Sequence, residues 1–271
     1  MTFQPVVPLS GYVGWRFLQR TIEAQQDTFN QSQPVIRDTT YFRENIAKIN
    51  TAEELVNNRR LLSVALGAFG LDEDINNRFF VSKVLSDGIA NEDGLANRLS
   101  DKRYFAFASA FGLGQGDIPR TGLTFFGDEI VSRYEKQQFA RAVGNSDPDM
   151  RLALNTADKI SDIVADNQTE TGRWFSIMGD GPLRTVFEKA LGLPASFGTI
   201  DIDQQLETFR DRAKSVFGTD QAADFLDPDR QEDLIRLFLI RSEAAQISAA
   251  NGGSIALTLL QSAAVPRSQL I

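Results

Sequence analysis

One short pattern recurs along this chain and confines it to helical architectures. Leu61-Leu62-Ser63-Val64-Ala65-Leu66-Gly67-Ala68-Phe69-Gly70-Leu71 reads as an apolar helix running into a glycine stop. Tyr104-Phe105-Ala106-Phe107-Ala108-Ser109-Ala110-Phe111-Gly112-Leu113 repeats it, and so does the segment from Leu183 to Leu193, which ends Ala190-Leu191-Gly192-Leu193. Val216-Phe217-Gly218 is a weaker fourth copy. Glycine just past a helix takes the left-handed conformation without a Cβ penalty, and the leucine after it folds back onto the last turn. Gly70, Gly112 and Gly192 stand 42 and then 80 positions apart, near one and two units of about forty, as an irregular helical repeat would place them. Unrelated helices sharing a common cap explain the spacing equally well.

Other signals agree on helix. Thr51-Ala52-Glu53-Glu54 is a capping box, and Asp147-Pro148 and Asp227-Pro228 each set a capping acid before a proline suited to the first helical position. Leu206, Phe209, Ala213, Val216 and Phe217 fall at steps that make one helical stripe. No alternating strand pattern and no hairpin dipeptide between apolar runs is evident, since Asn251-Gly252-Gly253 follows residues that read as helix. The chain therefore reads as all-α, a multihelical array of about nine or ten helices with irregular internal repeats ending in Gly-Leu caps.

The turn-rich Gly144-Asn145-Ser146-Asp147-Pro148 suggests a subdivision. Residues 1–39 would be an N-terminal helical or extended tail, 40–144 and 145–245 two helical subdomains, and 246–271 a C-terminal tail. A single domain over 1–271 is the alternative. Neither end carries enough apolar pattern for a core of its own, so each docks on the body or awaits a partner. Trp15, Phe17, Leu18, Ile22 and Phe29 in the first tail, and Leu259 and Leu260 in the last, are the expected partner contacts.

Composition excludes much chemistry. The 271 residues include neither Cys nor His, which removes disulfides, thiol nucleophiles, the Ser-His-Asp triad and metal sites built on thiolate or imidazole. The formal net charge of -8 argues against a nucleic-acid partner, because phosphate binding needs clustered cations. No stretch approaches the roughly 18 apolar residues that a membrane span requires. The N-terminus lacks the basic start and apolar run of a secretory signal, so the expected compartment is the cytoplasm or export without a cleaved signal.

The remaining candidate motifs fail at named positions. Gly112-Leu113-Gly114-Gln115-Gly116 follows no strand and precedes no Lys-Ser/Thr, so it reads as a cap and connection. Asp72-Glu73-Asp74-Ile75-Asn76 and Asp201-Ile202-Asp203 begin like calcium loops but put Asn77 and Leu206 where glycine is needed, and they read as acidic helix starts. Ser82-Lys83 lie side by side on a helix and point apart. Arg59-Arg60, Lys102-Arg103 and Arg184 precede the repeated helices as solvated or paired surface. With 20 Phe against 4 Tyr and 2 Trp, Phe79-Phe80, Phe105, Phe107, Phe111 and Phe125-Phe126 are expected to fill the core, as is Trp174. No cofactor is implied.

The segments Tyr41-Phe42-Arg43-Glu44-Asn45-Ile46, Thr51 to Val56, Arg59-Arg60-Leu61-Leu62 and Ala65 to Leu71 form one long motif with Phe80-Val81-Ser82-Lys83-Val84-Leu85-Ser86-Asp87-Gly88. Together with Leu191-Gly192-Leu193-Pro194 to Phe209 and Phe217-Gly218, they resemble the alphaproteobacterial family catalogued as domain of unknown function 1217. The resemblance covers most of residues 40–245. It implies a helical protein often encoded among flagellar genes, and it carries over no catalytic residue. The expected function is a non-enzymatic accessory or structural protein of the flagellar or motility system, acting by protein–protein contacts through its ends. The alternatives are a helical module binding a small ligand without catalysis and, behind it, an enzyme built on carboxylates or lysine.

Overall fold

The computed structural model describes residues 3–263, with side-chain surroundings for residues 3–248. Thirteen α-helices appear among the described residues, and no strand. They are α1 (Gly11–Asn30), α2 (Gln33–Asn45), α3 (Ala52–Asn57), α4 (Arg59–Ala68), α5 (Arg78–Asp87), α6 (Leu95–Arg98) and α7 (Arg103–Phe111). The second half holds α8 (Phe126–Gly144), α9 (Pro148–Asp166), α10 (Glu170–Gly179), α11 (Gly181–Leu191), α12 (Ile202–Phe217) and α13 (Pro228–Ala263). Four 3-10 turns join them. The count exceeds the nine or ten expected because several helices, α3 and α6 above all, are too short to show a periodic stripe.

The sequence signals for helix ends are realised atom by atom. Thr51 and Glu54 form the reciprocal capping box, and Asp147 accepts from the amides of Asp149 and Met150. Asp227 caps α13 in the same way, accepting from Asp229 and Arg230. Gly70, Gly112, Gly192 and Gly218 all have positive φ, between +60° and +76°. Two of these stops are full Schellman motifs: Leu71 donates to Leu66 O, and Leu193 donates to Glu188 O. The other two close by a single bond, Gly112 to Ala108 O and Gly218 to Lys214 O. At Gly218 a Cβ would meet no atom within 4 Å, so only backbone strain opposes a side chain there. Gly218→Ala is expected to cost about 1–2 kcal/mol, read as a lower urea midpoint at unchanged slope.

The buried residues fall into two clusters. The first gathers Phe42, Leu61, Leu62, Phe107, Phe111 and Phe126 with their neighbours as far as Tyr134. The second gathers Trp15, Leu18 and Phe29 with Phe139, Val143 and the buried faces of α9 to α13. The boundary thus runs through α8, between Tyr134 and Phe139, and not at the loop 145–147. That loop makes α8 and α9 an antiparallel hairpin, tied by the pairs Arg133–Asp162 and Lys136–Asp158. The N-terminal segment joins the second cluster although it precedes the first in sequence.

Two expectations about phenylalanine are corrected. Phe79 is 87% exposed and Phe125 is 54% exposed, while Phe80 packs edge-on against Tyr104 and Phe126 is buried. Adjacent helical residues point about 100° apart, so one of each pair faces out. Asn251-Gly252-Gly253, which carries turn chemistry, lies within α13.

Candidate contact surface and interlobe cleft

The two terminal helices pack against each other. In α1, Gly11, Gly14, Trp15, Leu18, Gln25 and Phe29 make a buried face. Beside it, four side chains converge on Glu232 of α13. Tyr12 donates from Oη at 2.8 Å, Trp15 from Nε1 at 3.2 Å, Gln19 from Nε2 at 3.1 Å and Arg16 from Nη1 at 3.4 Å. Burial alone would push the Glu232 carboxyl up, but these hydrogen bonds hold it below its ordinary value. Tyr12 is pushed up in turn, by burial and by its bond to Glu232.

The residues expected to await a partner are accordingly divided. Trp15, Leu18 and Phe29 are buried in the chain's own second core, and Ile22 packs partly buried against it. Their stripe at helical spacing meets α8 and α13, which lie far away in sequence, so these four are not a free surface. Phe17 stays exposed, as do Val13 and Leu9 nearby in sequence. Leu259 and Leu260 lie outside the residues whose side chains are described.

Helix α13 has two distinct halves. Leu234, Ile235, Phe238, Leu239 and Ser242 are buried. At Ser242 a polar knot joins three helices: Lys189 donates to Ser242 Oγ at 2.8 Å and pairs with Asp149 at 3.1 Å, and Ser242 donates to Asp149. This Ser-Lys couple, 53 residues apart in sequence, was not legible in the chain. Ser242 is 2% exposed and the lysine is paired to a carboxylate, so the couple fastens α9, α11 and α13 and offers no accessible nucleophile. From Glu243 through Ser248 every described residue is exposed, Ile247 at 57%. Gln246 still donates to Asp149 at 3.1 Å, and the helix continues to Ala263.

A cleft of about 590 Å³ opens where the two core clusters meet. One wall is the 3-10 turn Asp72–Asn76 with the start of α7, and the other is the α8–α9 hairpin. On the first wall, most charged groups are already paired. Arg103 chelates Asp101 and donates from Nη1 to Gly70 O at 2.6 Å, and Tyr104 donates to Asp74 at 2.6 Å. Burial and that bond to Asp74 push the Tyr104 hydroxyl well up, so it stays a donor. Asp72 accepts from Gln138 at 2.8 Å and from Arg141 at 2.7 Å. The acidic segment at 72–76 thus starts a 3-10 turn and also anchors α7 and α8, while Asp201 caps the start of α12 by accepting from Asp203. The glycine-rich connection is likewise structural: Asp117 accepts from the amides of Ile89 and Ala90, and a Cβ on Gly114 would fall 2.1 Å from Gly88 Cα.

Of the basic residues before the repeated helices, Arg60 stacks on Tyr41 at 3.9 Å and pairs with Asp38, and Arg184 pairs with Glu188. They do not share a site. Among the described residues no group of three or more Asp or Glu is placed to hold a metal ion, and no helix is long and apolar enough to cross a membrane.

Fold and cleft together define an all-helical protein built around two buried clusters. The family model for proteins of unknown function DUF1217 matches residues 68–230, more than half of the chain, and the chain belongs to that family. A protein of Agrobacterium tumefaciens, known from an X-ray crystal structure, has a similar fold at a TM-score of 0.69 and 25% identity. The likeness covers 89% of this chain and 98% of that one. A comparison with curated proteins finds no match.

Proposed function

We propose that the protein is a non-enzymatic accessory or structural component of the flagellar or motility system, working by protein–protein contact through its terminal helices. The observation that carries this reading is the exposed stretch of α13 that follows Ser242. The first half of α13 is locked into the body by the Glu232 cluster and the Ser242 knot, while the residues that follow, Glu243 to Ser248, are exposed, Ile247 among them. A helix held at its root, with an exposed apolar side chain just beyond, suits docking on another protein, as amphipathic helices do in grooves or helical assemblies. The flagellar setting comes from the family resemblance alone.

Deleting the gene is expected to impair swimming and filament assembly, and complementation with the full chain is expected to restore them. A chain ending at Ser248 is expected to fold, judged by circular dichroism, and to fail in complementation. Normal swimming of the deletion strain would remove the motility reading. Full rescue by the shortened chain would remove the role assigned to α13.

A further inference from the structure

We propose that the interlobe cleft binds a small organic anion presenting carboxylate or phosphate oxygens, with Arg151 as its principal cation. The cleft is lined by donors and acceptors from α7, α8 and α9 and takes nothing from α13. The volume of about 590 Å³ lies within the roughly 300–1,000 Å³ usual for ligand sites.

On the α8–α9 wall, Arg151, Asn155 and Lys159 recur every four residues along α9 and so share one face. Gln137 and Arg141 do the same on α8. Lys159 is paired with the buried Asp180 at 3.3 Å and Arg141 with Asp72, yet each keeps further N–H groups. The exposed side chain of Arg151 makes no ion pair or hydrogen bond among the described residues, so all five of its donors remain. Facing them, Asp72 and Asp74 already accept from Gln138, Arg141, Tyr104 and Asn77. Glu73 is the one lining carboxylate without a partner among the described residues. The α9 wall is thus rich in unused donors, and the complement of such a wall is a group of several acceptor oxygens carrying negative charge.

Arg151 is also placed. Its stem lies over Gly144 at the end of α8, where a Cβ would meet Arg151 Cβ and Cδ at 2.9 Å. Glycine there lets the Arg151 stem lie against the end of α8, beside the cleft that Arg151 lines. The overall charge of -8 repels anions at long range, so any affinity must come from this local geometry.

The test is isothermal titration of the full chain with citrate, with inorganic phosphate and glucose 6-phosphate, and with glucose as the neutral comparison. Saturable binding of at least one anion is expected, and none of glucose. The citrate and phosphate arms tell a carboxylate ligand from a phosphate ligand. Arg151→Gln is expected to weaken binding by about tenfold or more, since a charge-assisted hydrogen bond is lost. Gly144→Ala, which keeps the charge but displaces the stem, is expected to weaken it as well. Arg212→Gln, an exposed arginine on α12, is expected to change nothing. Absence of saturable binding in both anion arms, equal binding of glucose, or undiminished affinity in Arg151→Gln would each overturn the proposal.

Discussion

Trp174→Ala is expected to destabilise the protein by about 3–5 kcal/mol, the cost of emptying a fully buried tryptophan site. Trp174 is wholly buried, and its ring meets Phe187, Phe209 and Phe225 at centroid distances of 5.6, 6.1 and 6.4 Å. Its Nε1 donates to Asp220 O at 2.9 Å, which ties α10 to the turn after α12. Trp174→Phe keeps an aromatic ring but loses the N–H, and is expected to cost about 1–3 kcal/mol for the unpaired carbonyl and the volume lost. Urea unfolding followed by circular dichroism measures both. The substitution touches only the second cluster, yet α8 carries residues of both, so one transition should move as a whole. Two separated transitions would show that α8 does not couple the lobes, and an unchanged midpoint would show that the aromatic cluster is not the centre of the second core.

Which parts of this structure were legible in the chain follows from how local each feature is. A Gly-Leu stop, a capping box and an Asp-Pro start are each decided within six residues, and all of them form where the sequence places them. The membership of a core is decided by partners at any distance. Trp15 and Phe29 looked like tail residues because nothing near them in sequence could cover them. Their cover is α8 and α13, and the indole of Trp15 reaches a glutamate 217 positions away. The same non-locality hid the lobe boundary. Gly144 to Pro148 has every mark of a linker, but it only turns the chain between two long helices, and α8 carries the first core into the second.

The cleft was illegible for a related reason. Its walls come from the turn after α4 and from α7, α8, α9 and α11, and no two of its charged groups outside one helix face or turn stand close in sequence. The pairing of Asp72 with Arg141, and of Lys159 with Asp180, decides which cations remain for a ligand. That subtraction needs coordinates. The absence of Cys and His, in contrast, constrains both surfaces in advance: whatever the cleft holds, it holds by Arg, Lys and amide groups.

Glu232 is the other residue whose removal should be felt widely, because four side chains of α1 depend on it. Glu232→Ala leaves the buried Trp15 indole N–H without an acceptor and is expected to cost roughly 2–3 kcal/mol. Glu232→Gln keeps one acceptor oxygen and should cost less. The wild-type pH dependence has a defined sign. A carboxyl whose pKa is lower in the folded than in the unfolded protein gives stability that is complete above the unfolded value and lost as pH falls through the folded one. Glu232 is such a group, so its share of the α1–α13 contact should persist at neutral pH and fade once the pH drops below the ordinary glutamate value of 4.5. Emission of Trp15 in a Trp174→Phe background, with exchange of the α1 amides, reads the contact directly. In acid the wild-type protein should expose Trp15 and lose protection in α1 before the rest of the second lobe. Glu232→Gln should flatten that response, and an acid transition of α1 that is the same with Glu or Gln at 232 would refute this account of how the terminal helices are joined.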